Sequence, residues 1–140
     1  VCVDDPGDTY WRDWQTYVAT HLLKRRMICA ADMSLFKVTD NVEEAVQEIR
    51  NFYRVYHSMR YVKGKLVVRL LQPPSLQLLE RIRADFKDIV PYGTFELTNA
   101  CPDEANDTGL ENLPRLHFHF DRRSHGRLRQ MIDLINQEVD

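Results

Sequence analysis

Val1-Cys2-Val3-Asp4-Asp5-Pro6-Gly7-Asp8-Thr9-Tyr10-Trp11 is the stretch on which the fold turns. Val1 to Val3 read as the end of a buried β-strand, and Asp5-Pro6-Gly7 as the turn that leaves it. Asp8 or Thr9 then caps a helix. Tyr10, Trp14, Tyr17, Val18 and Leu22 recur at helical spacing on one face of it. Lys24, Arg25 and Arg26 close it where positive charge complements the helix dipole. An aromatic stripe of that size is core or subunit interface before it is a cofactor site. A strand end at Val1 also needs neighbours to pair with, so the expectation is that a longer protein supplies preceding strands.

Downstream, Leu35-Phe36-Lys37-Val38 reads as a short strand, and Asp40 with Glu43 three residues on is a variant capping box. Val42, Ala45, Val46, Ile49, Phe52, Tyr53 and Tyr56 form the apolar face of a helix predicted to run to about residue 58. Strand, turn and helix in that order describe the last unit of an α/β layer. The periodicity fades between Met59 and Gly64, and the domain division is placed there. The fold class is therefore α/β. Residues 1–61 are the last strand–helix units of a Rossmann-like domain, and residues 62–140 a small α+β domain.

That second unit has a different rhythm. Lys65 to Leu71 is a strand broken by Pro73 and Pro74, and Ser75 caps a helix whose face is Leu78, Leu79, Ile82, Phe86 and Ile89. Thr94 to Thr98 alternates, residues 100–113 form an acidic polar loop, and Leu116, Phe118 and Phe120 alternate with Arg115, His117, His119 and Asp121. A final helix starts near Ser124 and buries Leu128, Met131, Ile132 and Ile135. The order β-α-β-β-α is ferredoxin-like or ACT-like without a last strand, with both helices on one face of a three-stranded antiparallel sheet. The opposite face carries Arg69, Thr94, Glu96, Thr98, His117 and His119, and is predicted to be solvated or a docking surface.

Composition sets outer limits. With 140 residues, 44% hydrophobic and 29% charged, the chain is neither disordered nor built around a membrane span. A net charge of −2 weighs against a nucleic-acid footprint over the whole surface. Cys2, Cys29 and Cys101 are odd in number and widely spaced, fitting neither a disulfide framework nor a zinc knuckle, so the expected compartment is the cytoplasm.

Candidate chemistry is sparse. His117 and His119 on one strand face lie about 7 Å apart, close enough to share a zinc ion if Glu96 or Asp121 gave a third ligand. Polar filling of a solvated strand is the simpler reading, and no metal and no cofactor is expected. Arg122, Arg123 and Arg127 gather at the start of the last helix as anion-binding candidates, set against a solvated charge run balanced by Asp121 and Asp133. Asp5, Gly7, Asp8, Thr9 and Tyr10 stand at the carboxyl end of a strand, where open α/β sheets bind ligands, and are the candidate edge of a nucleotide cleft. No phosphate loop, nucleophile elbow or His-Glu-x-x-His occurs, so no catalytic residue is assigned.

The strand ending Val1-Cys2-Val3-Asp4-Asp5-Pro6-Gly7, followed by Thr9-Tyr10-Trp11, resembles the last βα portion of the LONELY GUY (LOG) family, long labelled "possible lysine decarboxylase". Asp32-Met33-Ser34-Leu35-Phe36-Lys37-Val38-Thr39-Asp40-Asn41-Val42-Glu43-Glu44-Ala45-Val46 is similar to its continuation. Phe52-Tyr53-Arg54, Tyr56-His57-Ser58, Arg60-Tyr61-Val62 and Leu113-Pro114-Arg115-Leu116 look like phrases of the extra C-terminal domain of longer bacterial members. The resemblance implies a Rossmann-like, usually dimeric protein that cleaves the N-glycosidic bond of nucleoside 5′-monophosphates to base and ribose 5-phosphate. The family's Pro-Gly-Gly-x-Gly-Thr-x-x-Glu motif, which supplies the phosphate turn and the catalytic Glu, has no counterpart here, so this chain is expected to be inactive alone. Its partners by resemblance are a nucleotide substrate in the parent protein and a second copy in a homodimer, with no membrane and no nucleic acid. The alternative is a non-catalytic regulatory or oligomerisation module built on the β-α-β-β-α unit.

Overall fold

A computed structural model describes residues 1–99 and 109–138. The expected polar loop over 100–113 therefore falls mostly outside the described residues. The chain is a mixed α/β structure, with two sheets among the described residues. Strand β1 (Cys2–Val3) pairs parallel with β2 (Val38–Thr39), Cys2 opposite Val38 and Val3 opposite Thr39. Between them run α1 (Tyr10–Tyr17), which continues without a break as a π-helix over Val18–Leu23, and a 3-10 helix over Ala30–Leu35. The strand expected at Leu35–Val38 is thus shorter and shifted towards Thr39, because Leu35 still belongs to the 3-10 turn.

Helix α2 spans Val42–Phe52. Its cap is Asn41, whose side chain accepts from the Glu44 N–H, while Asp40, the residue expected to cap, pairs with Arg12 at 2.9 Å. The helix stops six residues before the predicted end. Tyr56–Val62 is instead a strand, β3, joined to β4 (Lys65–Leu70) through Lys63 and Gly64, both at positive φ as a two-residue hairpin turn of the primed type requires. The division placed between residues 61 and 62 consequently lies inside β3. Helix α3 (Leu76–Asp85), capped by Ser75 as predicted, a 3-10 turn over Lys87–Ile89, β5 (Glu96–Thr98), β6 (Arg115–Phe118) and α4 (His125–Glu138) follow among the described residues.

Among the described residues the second sheet has four strands in the order β3-β4-β6-β5, every neighbouring pair antiparallel. β4 and β5 therefore run the same way with β6 between them, a split β-α-β. The edge beside β4, which the predicted unit leaves empty, is filled by β3 from the N-terminal side. Both helices pack on one face, as predicted. Leu66, Val68, Leu70, Leu116 and Phe118 of the sheet meet Leu78, Leu79 and Ile82 of α3 and Leu128, Met131, Ile132 and Ile135 of α4. Burying about ten such side chains at 1.5–3 kcal/mol each is the main favourable contribution to this half.

The other face is solvated only in part: of the residues expected on it, Thr94 and Glu96 are exposed and Thr98 and His119 half-buried, while Arg69 and His117 are buried. Val67, Arg69, Arg115 and His117 are all buried, Arg115 completely. Arg115 donates to the carbonyls of Leu113 and Leu110, so its charge is met by backbone oxygens of the segment that leads into β6.

Candidate functional site

The carboxyl ends of β1 and β2 carry the strongest sequence candidate. Asp4, at the end of β1, is only 3% exposed. Its carboxylate accepts from the Trp11 N–H at 2.7 Å and the Arg12 N–H at 3.2 Å, and its own N–H donates to the Thr39 carbonyl. Asp4 thus caps α1 from seven residues upstream, which the sequence does not disclose because the intervening loop must fold back first. Thr9, the adjacent residue, makes no side-chain capping bond. Its hydroxyl donates to Asp13, and the Asp8 carboxylate accepts from the Thr9 N–H.

The consequence is electrostatic. The N-terminus of α1, where an incoming phosphate would find free N–H groups and the positive end of a dipole, is already filled by a carboxylate of the same chain. Asp5, Gly7, Asp8, Thr9 and Tyr10 do lie together, all exposed, along the loop over that end. They can edge a cleft, and the Trp11 and Arg12 N–H groups of this helix end are taken up by Asp4. Asp4→Ala leaves two donors of the first turn unpaired. It is expected to cost about 1–2 kcal/mol in a urea melt, whereas Asp8→Ala, at an exposed position, stays within about 0.5 kcal/mol.

The arginines near α4 are separated by the structure. Arg122 stacks over the Tyr61 ring with its guanidinium carbon 4.5 Å from the centroid, Arg123 is exposed, and Arg127 reaches the Asp88 carboxylate at 2.9 Å while covering the Phe86 ring. Ahead of the helix, Asp121 accepts from the N–H groups of Arg123 and Ser124 and from the Ser124 hydroxyl. Burial works to raise the Asp121 carboxyl, but those hydrogen bonds together hold it below the usual carboxylate range. The hydrogen bond from Arg127 likewise holds Asp88 low. Arg122, Arg123 and Arg127 do not converge, and the turn they flank holds an internal anion.

These shifts carry a pH dependence of definite sign. A carboxyl whose folded pKa lies below its unfolded value stabilises the fold above that unfolded value, near pH 4, and the contribution disappears as pH falls through the folded pKa. Stability is therefore expected to drop below about pH 4, and Asp88→Asn to flatten the drop. Urea midpoints measured between about pH 2.5 and pH 6 check it; an unchanged slope in the variant would remove Asp88 from the account.

His117 and His119 both lie near the Glu96 carboxylate, which Lys65 and the two imidazoles hold below its usual range. His117 is buried within β6, while His119 lies beyond the strand with its ring 4.0 Å from Tyr92. Among the described residues no group of His, Cys, Asp and Glu is arranged to hold a metal ion. Nor, among them, is any helix long and apolar enough to cross a membrane.

A further arrangement was not apparent from the sequence. A cleft of about 320 Å³ opens between α2 and α4, with Glu48, Phe52, Arg129 and Asp133 in its wall. Arg129 lies 4.8 Å above the Phe52 ring and bridges Glu48 and Asp133. Burial pushes the Asp133 carboxyl up despite the hydrogen bond from Arg129. Only the i, i+4 spacing of Arg129 and Asp133 could have been read in advance. Glu48 comes from a helix far away in sequence. The groups satisfy one another, which suits a bridge between helices more than a reactive centre.

No family model, curated protein or solved structure matches the chain.

Proposed function

We infer that the chain is the C-terminal part of a LONELY GUY-like, cytoplasmic nucleotide-binding protein. The parent hydrolyses the N-glycosidic bond of nucleoside 5′-monophosphates to base and ribose 5-phosphate. The observation behind this reading is the unfinished state of the first sheet. A parallel pair of two-residue strands is far below the size of an independently stable sheet. The helices around it are patterned for more: Val42, Val46 and Ile49 of α2 lie 64%, 43% and 51% exposed, alongside Val1 and Val3. Further parallel strands beside β1 or β2 would bury that surface and complete a Rossmann-like layer.

In such a parent the loop from Asp5 to Tyr10 edges the nucleotide cleft. The phosphate turn and the carboxylate that stabilises the oxocarbenium-like ribose come from outside this chain. With Asp4 taking up two N–H groups at the end of α1, this loop positions the substrate by contact. The β3–α4 portion, with its ferredoxin-like strand order, stabilises or regulates the catalytic body.

The test is ribose 5-phosphate release from AMP, GMP, CMP and UMP by the full-length parent. Release is expected from at least one nucleotide, and from none with residues 1–140 alone. A parent inactive on every monophosphate overturns the reading.

A further inference from the structure

Strand β3 is an edge with an open ladder, and it points to a binding function independent of the nucleotide chemistry. Among the described residues β3 pairs with β4 on one side and with no strand on the other. The two-residue turn closes on the Val62–Lys65 pair, so bonded pairs recur at Arg60 and Ser58. The N–H and C=O groups of Met59 and Tyr61 therefore point away from β4, and no turn, loop or cap of the described residues reaches them. The register irregularity of β3 lies between Tyr56 and Ser58; from Ser58 to Val62 the ladder is regular. This stretch can accept another strand.

The side chains of the same stretch stand beside a pocket. Met59 and Tyr61 lie opposite Val68 and Leu66, both core residues, so they are on the helix side of the sheet. They are 42% and 43% exposed. A pocket of about 190 Å³ opens next to Met59, walled by Leu35 of the 3-10 helix and by His125, Leu128 and Ile132 of α4. A strand added along β3 sets the residue opposite Met59 about 5 Å from it on that same side, over the mouth of the pocket. The residue two positions away then comes opposite Tyr61, whose ring carries the Arg122 guanidinium at 4.5 Å.

Charge selects the strand. From Tyr53 to Leu71 the sequence has Arg54, Arg60, Lys63, Lys65 and Arg69 and no Asp or Glu. Arg122 and Arg123, both exposed, add two guanidinium groups that no carboxylate engages. Such an edge repels a second copy of itself and attracts a segment of opposite sign. We propose that β3 receives an extended acidic segment of a partner protein as an added strand, with an aliphatic side chain in the pocket beside Met59 and a carboxylate two residues away against Arg122. Main-chain hydrogen bonds supply the affinity, and the pocket and the charge supply the specificity.

Fluorescence anisotropy of the 140-residue chain with the labelled peptide Thr-Glu-Thr-Leu-Thr-Glu-Thr tests it. The peptide reads the same in both directions, so Glu stands two residues from Leu whether it adds parallel or antiparallel. Saturable binding with Kd below about 100 µM is expected. Replacing both Glu by Lys, or Leu by Asn, should weaken it by about tenfold or more. N-methylation of Leu and its two neighbours, which removes the ladder donors, should abolish it. Arg122→Glu, at an exposed position, should weaken the acidic peptide by about tenfold and strengthen the lysine peptide. No saturation at about 1 mM overturns the proposal, whether the edge stays empty or a second copy holds it. So does equal affinity for the N-methylated peptide, or an Arg122→Glu variant that discriminates between the two peptides as strongly as the wild type. The readout is peptide binding by residues 1–140, so an inactive parent leaves this result untouched.

Discussion

Gly126→Ala is expected to destabilise the chain by about 2–4 kcal/mol, although alanine is the better helix former by about 1 kcal/mol. Gly126 sits in the first turn of α4, and a Cβ placed there would lie 2.3 Å from the carbonyl carbon and oxygen of Ala31 and 2.5 Å from the Asp32 nitrogen. Those are backbone atoms of the 3-10 helix, which cannot rotate aside as a side chain would. Either α4 or the Ala30–Leu35 segment must withdraw. The hydrogen bond from Gln130 to the Ser34 hydroxyl at 3.1 Å then breaks, and the Leu128 side of α4 is lifted from the sheet core. The sign of the effect is diagnostic. Thermal or urea melts should show the variant less stable, with Tm lower by about 10 °C, while Gln137→Ala on the exposed end of the same helix should sit within about 0.5 kcal/mol of wild type. A stabilised Gly126→Ala variant would mean that α4 and the 3-10 helix do not meet.

The same contact shows where the sequence was readable and where it was not. Local rules served well when the information was local. Ser75 caps α3, the faces of α3 and α4 are buried at the predicted positions, and Leu116 and Phe118 point inward. The strand β3 was missed because Phe52, Tyr53 and Tyr56 share a helical spacing that runs on past the true end of α2. Three rings cluster there in the structure too, but across a helix-to-strand junction. Lys63-Gly64 held the hairpin signal, weaker than Asn-Gly since lysine seldom adopts positive φ. The Glu48–Arg129 bridge and the close approach at Gly126 join residues distant in sequence, the cap by Asp4 depends on a loop folding back over seven residues, and nothing in periodicity or composition encodes them. The candidate loop Asp5 to Tyr10 was placed correctly at a strand's carboxyl end. The role of its neighbour Asp4 could be seen only in three dimensions.

Asn136→Ala is expected to destabilise the chain by about 3–5 kcal/mol, as much as truncating a buried core aromatic. Asn136 is buried in α4, and it ties down the junction where α2 ends and β3 begins. Its Oδ1 accepts from the Val55 N–H at 2.8 Å and the Tyr56 N–H at 3.0 Å, and its Nδ2 donates to the Phe52 carbonyl at 2.7 Å. One amide therefore satisfies three backbone groups of a tight turn that cannot satisfy each other. Alanine would strand two buried donors and an acceptor at once, each costing about 1–3 kcal/mol. Asn136→Asp separates the two halves of that role. It keeps the acceptors but turns an oxygen towards the Phe52 carbonyl, where only a protonated carboxyl can donate. Burial and the facing Phe52 carbonyl raise its folded pKa while the two accepted N–H bonds lower it. With the first pair dominant the folded value lies above the unfolded value of about 4, so the native state binds the extra proton and stability increases as pH falls through the folded pKa. Relative to wild type, the aspartate variant should be weak at neutral pH and recover towards pH 4, whereas the alanine variant should show no such recovery. Urea midpoints of the three proteins across that range separate the outcomes. Equal deficits for both variants at every pH would show that the donor to Phe52 contributes nothing and that the two accepted bonds alone hold the junction.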